Sequence, residues 1–101
     1  MATPTITPNQ IIEKLRIKKK EFSEKYGVTR LALFGSFAKD TANYQSDVDV
    51  VVELKEPDIF ALVHIKEELE MEFMRPVDVI PLSDQLNPYL KKRIAMDALY
   101  V

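Results

Sequence analysis

Apolar residues recur along this chain in two rhythms, a helical one of three and four and a strand one of two, and their order sets the fold to expect. The first helical rhythm joins Ile11, Ile12, Leu15, Phe22 and Tyr26, the kind of stripe an amphipathic helix buries. Thr7-Pro8-Asn9-Gln10 opens it as a capping box, with Thr7 as N-cap, Pro8 at the first helical position and Gln10 reaching back. Ile6 and Ile11 form a staple pair around that cap, and Gly27 stops the helix after Tyr26. Lys18, Lys19 and Lys20 fall among its exposed positions, where a solvated charged face is expected.

Leu31-Ala32-Leu33-Phe34 is bracketed too closely by Gly27 and Gly35 to be a helix and reads as a buried strand. Gly35-Ser36 ends it, Phe37 to Lys39 fits one helical turn, and Asp40 to Ser46 has the composition of a loop. A second strand, Val48 to Leu54, places Val48, Val50 and Val52 on one face and Asp47, Asp49, Val51 and Glu53 on the other. After Glu56-Pro57-Asp58, a helix runs to about Met74 on Ile59, Leu62, Ile65, Leu69 and Phe73, and Met71 and Met74 read with its apolar side. Arg75-Pro76 ends that helix, and Val77-Asp78-Val79-Ile80 is a third strand closed by Pro81. Asn87-Pro88 caps a last helix that turns Leu90, Ile94 and Ala98 inward and ends near Tyr100. The order predicts an α+β (α/β) domain, a small mixed β-sheet covered by helices on one face.

Composition narrows the function. At 101 residues and 47% apolar, the chain has material for one core, so residues 1–101 are expected to form a single domain with Met1 to Thr5 as a loose arm. A formal charge of −2 argues against a nucleic-acid binder that works by massed phosphate neutralisation. The absence of cysteine excludes disulfides and thiolate metal sites. With no signal-like N-terminus and no membrane-length apolar run, a soluble, cytoplasmic protein is expected.

Candidate chemistry then concentrates between Leu33 and Glu53. Asp47 and Asp49, at alternate positions of a valine-rich strand, project from one face with their Cα atoms about 6.5–7 Å apart, so their oxygens can converge on one ion. Asp78 sits in another valine-rich strand, where an unpaired charge would be costly. Three neighbouring carboxylates repel one another unless cations neutralise them. Oxygen-only ligands with open positions suit Mg2+, or Mn2+, and two such ions clamp the attacking and leaving oxygens of a phosphoryl displacement. Gly35 lets backbone approach a ligand, Ser36 opens a helical turn whose amides face an anion, and Lys39 adds a point charge. These parts suit a metal-bound nucleoside triphosphate.

Gly35-Ser36, ten residues, then Asp47-Val48-Asp49, followed by Val77-Asp78-Val79, resembles the signature of the DNA polymerase β-like nucleotidyltransferase superfamily. Within it, the chain is similar to the minimal nucleotidyltransferases (MNT domains), the antitoxins of HEPN/MNT toxin–antitoxin pairs. The likeness spans nearly the whole chain. It implies a polymerase β-like nucleotidyltransferase fold and an antitoxin that transfers AMP from Mg-ATP to a tyrosine hydroxyl of a HEPN-domain ribonuclease toxin, binding that toxin in a hetero-oligomer. By position it gives Asp47, Asp49 and Asp78 to the metals and to catalysis, with Asp78 also activating the acceptor hydroxyl, and Gly35 and Ser36 to phosphate. Where relatives commonly carry Ala-Arg-Gly, this chain has Ala38-Lys39-Asp40, a point charge in place of a guanidinium fork.

Two other readings stay open on the sequence. The same fold neutralises a partner by binding alone if catalysis is weak, and a 3′-end-extending enzyme is a third class, against which the near-neutral charge counts. Outside the motif, Glu53 reads as an ordinary exposed acid and His64 as a packed or surface histidine. Tyr26, Tyr44, Tyr89 and Tyr100 read as core, loop or interface residues.

Overall fold

Helix α1 (Pro8–Tyr26) begins at the expected box: the Thr7 side chain accepts from the Gln10 amide and the Gln10 side chain from the Thr7 amide. It ends at Gly27 in the left-handed conformation, φ 73°, a geometry glycine adopts without steric cost. A computed structural model of the chain describes residues 6–39 and 47–101. The expected arm at Met1 to Thr5 and loop at Asp40 to Ser46 lie outside the described residues.

After α1 come β1 (Val28–Phe34), the short α2 (Gly35–Ala38), β2 (Val48–Leu54), α3 (Ile59–Phe73), β3 (Val77–Pro81), α4 (Pro88–Asp97) and β4 (Leu99–Tyr100). The strands form one four-stranded sheet in the order β3-β2-β1-β4. β2 runs antiparallel to β1 and parallel to β3, and β4 is antiparallel to β1. The sheet is therefore mixed, as expected.

Strand alternation decides what each face buries. Leu31 and Leu33 of β1, Val48, Val50 and Val52 of β2 and Val77 of β3 join Ile11, Leu15 and Phe22 of α1 and Ile65, Leu69 and Phe73 of α3 in the main core. Each large side chain buried there contributes about 1.5–3 kcal/mol. Ala32 and Val51 point the other way and pack with Ile94 of α4, flanked by Phe34, Ile80, Leu90 and Ala98. Helices thus cover both faces, not one: α1 and α3 one side, α4 the other. Leu90, Ile94 and Ala98 required apolar sheet surface opposite α1, and Ala32 and Val51 supply it.

The end of the chain also departs from expectation. α4 stops at Asp97 and Leu99–Tyr100 pairs with β1, with Ala32 opposite Tyr100 and Leu33 opposite Leu99. Pairing covers an edge of β1 that a longer helix would have left open. Met71 and Met74 are exposed rather than packed, because Met71 stands two residues from both Leu69 and Phe73, about 200° round the helix. Lys18 is not a solvated side chain either. Its ammonium lies 3.3 Å from Glu21 and 5.9 Å from the centre of the Phe22 ring, while Lys19 Nζ donates to the Val101 carbonyl at 2.7 Å. Glu53 accepts from Thr29 Oγ1 at 2.7 Å, and His64 is exposed beside Tyr26.

Met74 closes α3 in the left-handed region, φ 55°, with its side chain 86% exposed. A side chain there costs about 1–2 kcal/mol, whereas glycine gives back about 0.5–1 kcal/mol in entropy. Met74→Gly should therefore stabilise the protein by about 0.5–1 kcal/mol, read from urea unfolding. A lower midpoint would show that the exposed methionine packs against something after all.

Candidate active site

The acids converge because β2 and β3 pair in parallel register. Asp49 lies opposite Asp78 on one side and opposite Phe34 on the other, and neighbouring strands stand about 4.8 Å apart. Both acids occupy the sheet face that Val51 and Ile80 bury further along, at the end where β1 runs out and β2 and β3 begin. Asp78 is exposed and Asp49 half-buried.

Burial first, then the Asp78 charge and a hydrogen bond between the two carboxyls, and last the Asp47 charge, push Asp49 up to about 6. Two ionised carboxylates set this close repel one another, so Asp49 keeps its proton to a higher pH than a lone aspartate does. Asp47 is exposed one residue before β2 begins and acts on Asp49 through its charge. Among the described residues, no three histidine, cysteine or acidic side chains are gathered into a metal cluster.

Gly35 fixes the other wall. Its φ is 74°, and a Cβ built there would overlap Asp49 Oδ2 and stand 3.1 Å from Asp49 Cγ. The backbone of α2 therefore rests directly on the Asp49 carboxylate, an approach only glycine permits. Ser36 follows in the first turn of α2, and Phe34 in the N-cap position makes no side-chain cap. The α2 turn is seated by Phe37, which is buried with the Arg75 guanidinium 5.2 Å from its ring centre.

Lys39 stands just past α2, but its ammonium is held 3.4 Å from Asp97 Oδ2 at the end of α4. Arg93 Nε meets the same oxygen at 3.4 Å, and Arg93 Nη1 donates to the Tyr89 hydroxyl at 3.3 Å. On the far side of the site, Lys66 of α3 pairs with Glu70 at 2.9 Å and feels the charges of Asp78 and Asp47. Sequence reasoning missed Asp97, Arg93, Lys66 and Glu70. The four-residue spacing of Arg93 with Asp97 and of Lys66 with Glu70 was the available signal, though it says nothing of their nearness to the site.

Two expectations follow. Gly35→Ala should cost about 1–3 kcal/mol, from a side chain at positive φ and displacement of Asp49; unchanged stability in thermal melts would place the Asp49 carboxylate elsewhere. In chelator-treated protein, Asp49 has a folded value of about 6 against an ordinary 3.8, so the native state holds its proton more tightly than the unfolded chain. Stability should therefore fall as pH rises from about 4 through about 6. Asn at position 49 should remove that loss. Allowing for solvent screening, Asp49→Asn should be about 1–2 kcal/mol more stable than the parent at pH 8 and no more stable at pH 4. Parallel urea-unfolding curves against pH would contradict the carboxyl pair.

Comparison with known proteins gives this geometry a family. The model of the nucleotidyltransferase domain matches residues 15–101. A Methanocaldococcus jannaschii protein provisionally named a protein adenylyltransferase is 36% identical over 96 residues, covering 94% of this chain and 98% of its own length. Protein adenylyltransferase MntA of Thermococcus cleftensis is 30% identical over 97 residues, covering 95% and 97%. Among solved structures, one provisionally described as a minimal nucleotidyltransferase superposes with a TM-score of 0.73 at 24% identity, over 96% of this chain and 98% of that one. A toxin–antitoxin structure with AMP-PNP gives 0.69 at 19% identity, over 94% and 72%. A complex of tri-AMPylated Shewanella oneidensis HEPN toxin with MNT antitoxin gives 0.58 at 20% identity, over 92% and 66%. The acids paired across β2 and β3, the glycine seated on one of them and the match over most of the chain agree: this protein belongs to the nucleotidyltransferase-domain family and groups there with the protein adenylyltransferases.

Proposed function

We propose that this chain is an antitoxin that transfers AMP from ATP to a tyrosine hydroxyl of a HEPN-type ribonuclease bound against it, working as one domain in the cytoplasm. The observation that carries the reading is the Asp49–Asp78 pair, two carboxyls set opposite one another by the strand register, with burial and the neighbouring Asp78 charge raising Asp49 to about 6. Oxygen donors short of positive charge fit Mg2+ or Mn2+. Asp49 and Asp78, joined by Asp47 from one residue before β2, are the residues that would hold two such ions. The ions would supply charge neutralisation on the triphosphate and on the attacking oxygen.

The chain's own groups do the rest. The Gly35-Ser36 turn, pressed against Asp49, receives phosphate oxygens on backbone amides and the Ser36 hydroxyl. Asp78, exposed at the open edge of the sheet, takes the proton as the tyrosine oxygen bonds to the α-phosphorus. The bond from that phosphorus to pyrophosphate then breaks, and pyrophosphate leaves. Lys39 reaches the phosphates by exchanging Asp97 for them. The named relatives support AMP as the group transferred, and the HEPN complexes of the structural neighbours support the partner class.

Neutralisation by binding alone is the second reading. It draws on the Lys39–Asp97 pair, which occupies a cation the phosphates would use. Incubating the purified protein with Mg-ATP and its co-purified partner, then weighing the partner intact, separates the two. The transferase reading expects an added mass of one or more AMP groups on a partner tyrosine, abolished by Asp47→Ala with Asp49→Ala. An unmodified partner that stays bound would favour binding alone, and an adduct that survives the double substitution would remove these acids from the chemistry.

A further inference from the structure

Glu70 of α3 is unused by the proposed reaction, yet it is tied to the strand that carries Asp78. Its Oε2 accepts from the Val77 amide at 3.0 Å and from Lys66 Nζ at 2.9 Å. These two donors hold its carboxyl below the usual range, Lys66 having the larger effect.

The Val77 amide is where control of Asp78 is most direct. Among the described residues, β3 is an edge strand, paired only with β2. The Pro76 carbonyl accepts from the Val48 amide at 3.0 Å, and beyond the strand the Leu82 amide donates to the Val52 carbonyl at 2.8 Å. Even-numbered residues of this segment therefore turn their backbone groups toward β2, and odd-numbered residues turn theirs outward. Val77 presents its amide to the free edge, and Glu70 meets it there. Its side chain meanwhile points into the main core, fully buried. Held on both sides, Val77 fixes the direction in which the chain enters Asp78, and hence whether that carboxyl reaches Asp49.

We propose that Glu70 is a positioning residue for Asp78: through the Val77 amide it holds the entry to β3 so that the Asp78 and Asp49 carboxyls face one another, with Lys66 steadying its own carboxylate. The inference rests on the reading of those acids as metal ligands only for its functional consequence; the clamp on β3 is tested without it.

Two substitutions at position 70 separate clamp from charge. Glu70→Gln keeps an oxygen for the Val77 amide and gives up the ion pair, Glu70→Ala gives up both, and Lys66→Ala keeps the Val77 bond while giving up the ion pair and a positive charge that acts on Asp78 and Asp47. In metal-free protein, hydrogen exchange at the Val77 amide should be fast in Glu70→Ala and protected in Glu70→Gln and Lys66→Ala. Mn2+ binding by electron paramagnetic resonance, below the melting temperature of every variant, should weaken about 10-fold in Glu70→Ala. It should stay within about twofold of the parent in the other two variants, in keeping with the small worth of an exposed ion pair. Loss of global stability alone does not produce this ranking, because a folded variant with Asp78 in place binds the metal normally. Protected Val77 and undiminished Mn2+ binding in Glu70→Ala would overturn the proposal, as would equal damage from Glu70→Gln and Glu70→Ala. If the parent itself binds no Mn2+, the metal reading of the acids fails, and the exchange pattern at Val77 alone decides for or against the clamp.

Discussion

The site depends on an unfavourable pairing, two carboxylates set side by side by the register between β2 and β3. Separation would relieve it, and the valines forbid separation. Val48 and Val50 on β2 and Val77 on β3 alternate with these acids and are fully buried, so sliding either strand by one residue would turn its valines to the opposite face and its acid into the core. Burial of side chains worth about 1.5–3 kcal/mol each outweighs the repulsion between the two carboxylates. The core therefore holds in place an electrostatic arrangement that a divalent cation relieves better than a proton does.

Gly35 belongs to the same constraint. Where α2 leaves β1, its backbone rests against Asp49 so closely that no Cβ fits, and burial of the Asp49 carboxyl is the largest cause of its raised value. The α2 turn and the acid are brought together by one contact. Any shift of α2 away from Asp49 would also hydrate its carboxyl. In the proposed reading, phosphate binding and metal binding would be coupled through a single glycine.

Most of this was legible in the sequence because each signal was local. The Thr7 box, the Gly27 stop and the alternation from Val48 to Leu54 specify their elements without help from the rest of the chain, and the observed bounds of β2 are those expected. Asp49 and Asp78 stand out in the sequence as acids among buried valines, and the register sets them opposite one another, whereas Asp47 is not gathered with them into a group of three. What was illegible depends on distant partners. Leu99–Tyr100 reads as the tail of a helix until β1 offers it an edge, and the use of both sheet faces requires knowing that Ala32 and Val51 turn away from α1. Glu70 reaches Val77 across the end of α3, and no periodicity in the sequence announces that contact.

Lys39 is the group whose role the fold alters most. α4 ends beside it, and the C-terminus of a helix carries about half a negative charge, an unhelpful neighbour for a triphosphate. Asp97 adds a further negative charge there. Against them stand Lys39 and Arg93, both on one oxygen of Asp97, so the cluster is close to neutral or slightly positive. Its ion pairs are partly exposed and worth about 1 kcal/mol or less each, whereas a phosphate oxygen close to the ammonium carries a comparable or larger charge. If the proposed reading holds, exchange of Asp97 for phosphate would be nearly balanced for Lys39, and the tie to Asp97 would not exclude a ligand. Arg93 would remain on Asp97 if Lys39 left. The carboxylate would not be stranded, so a single point charge could move at little cost.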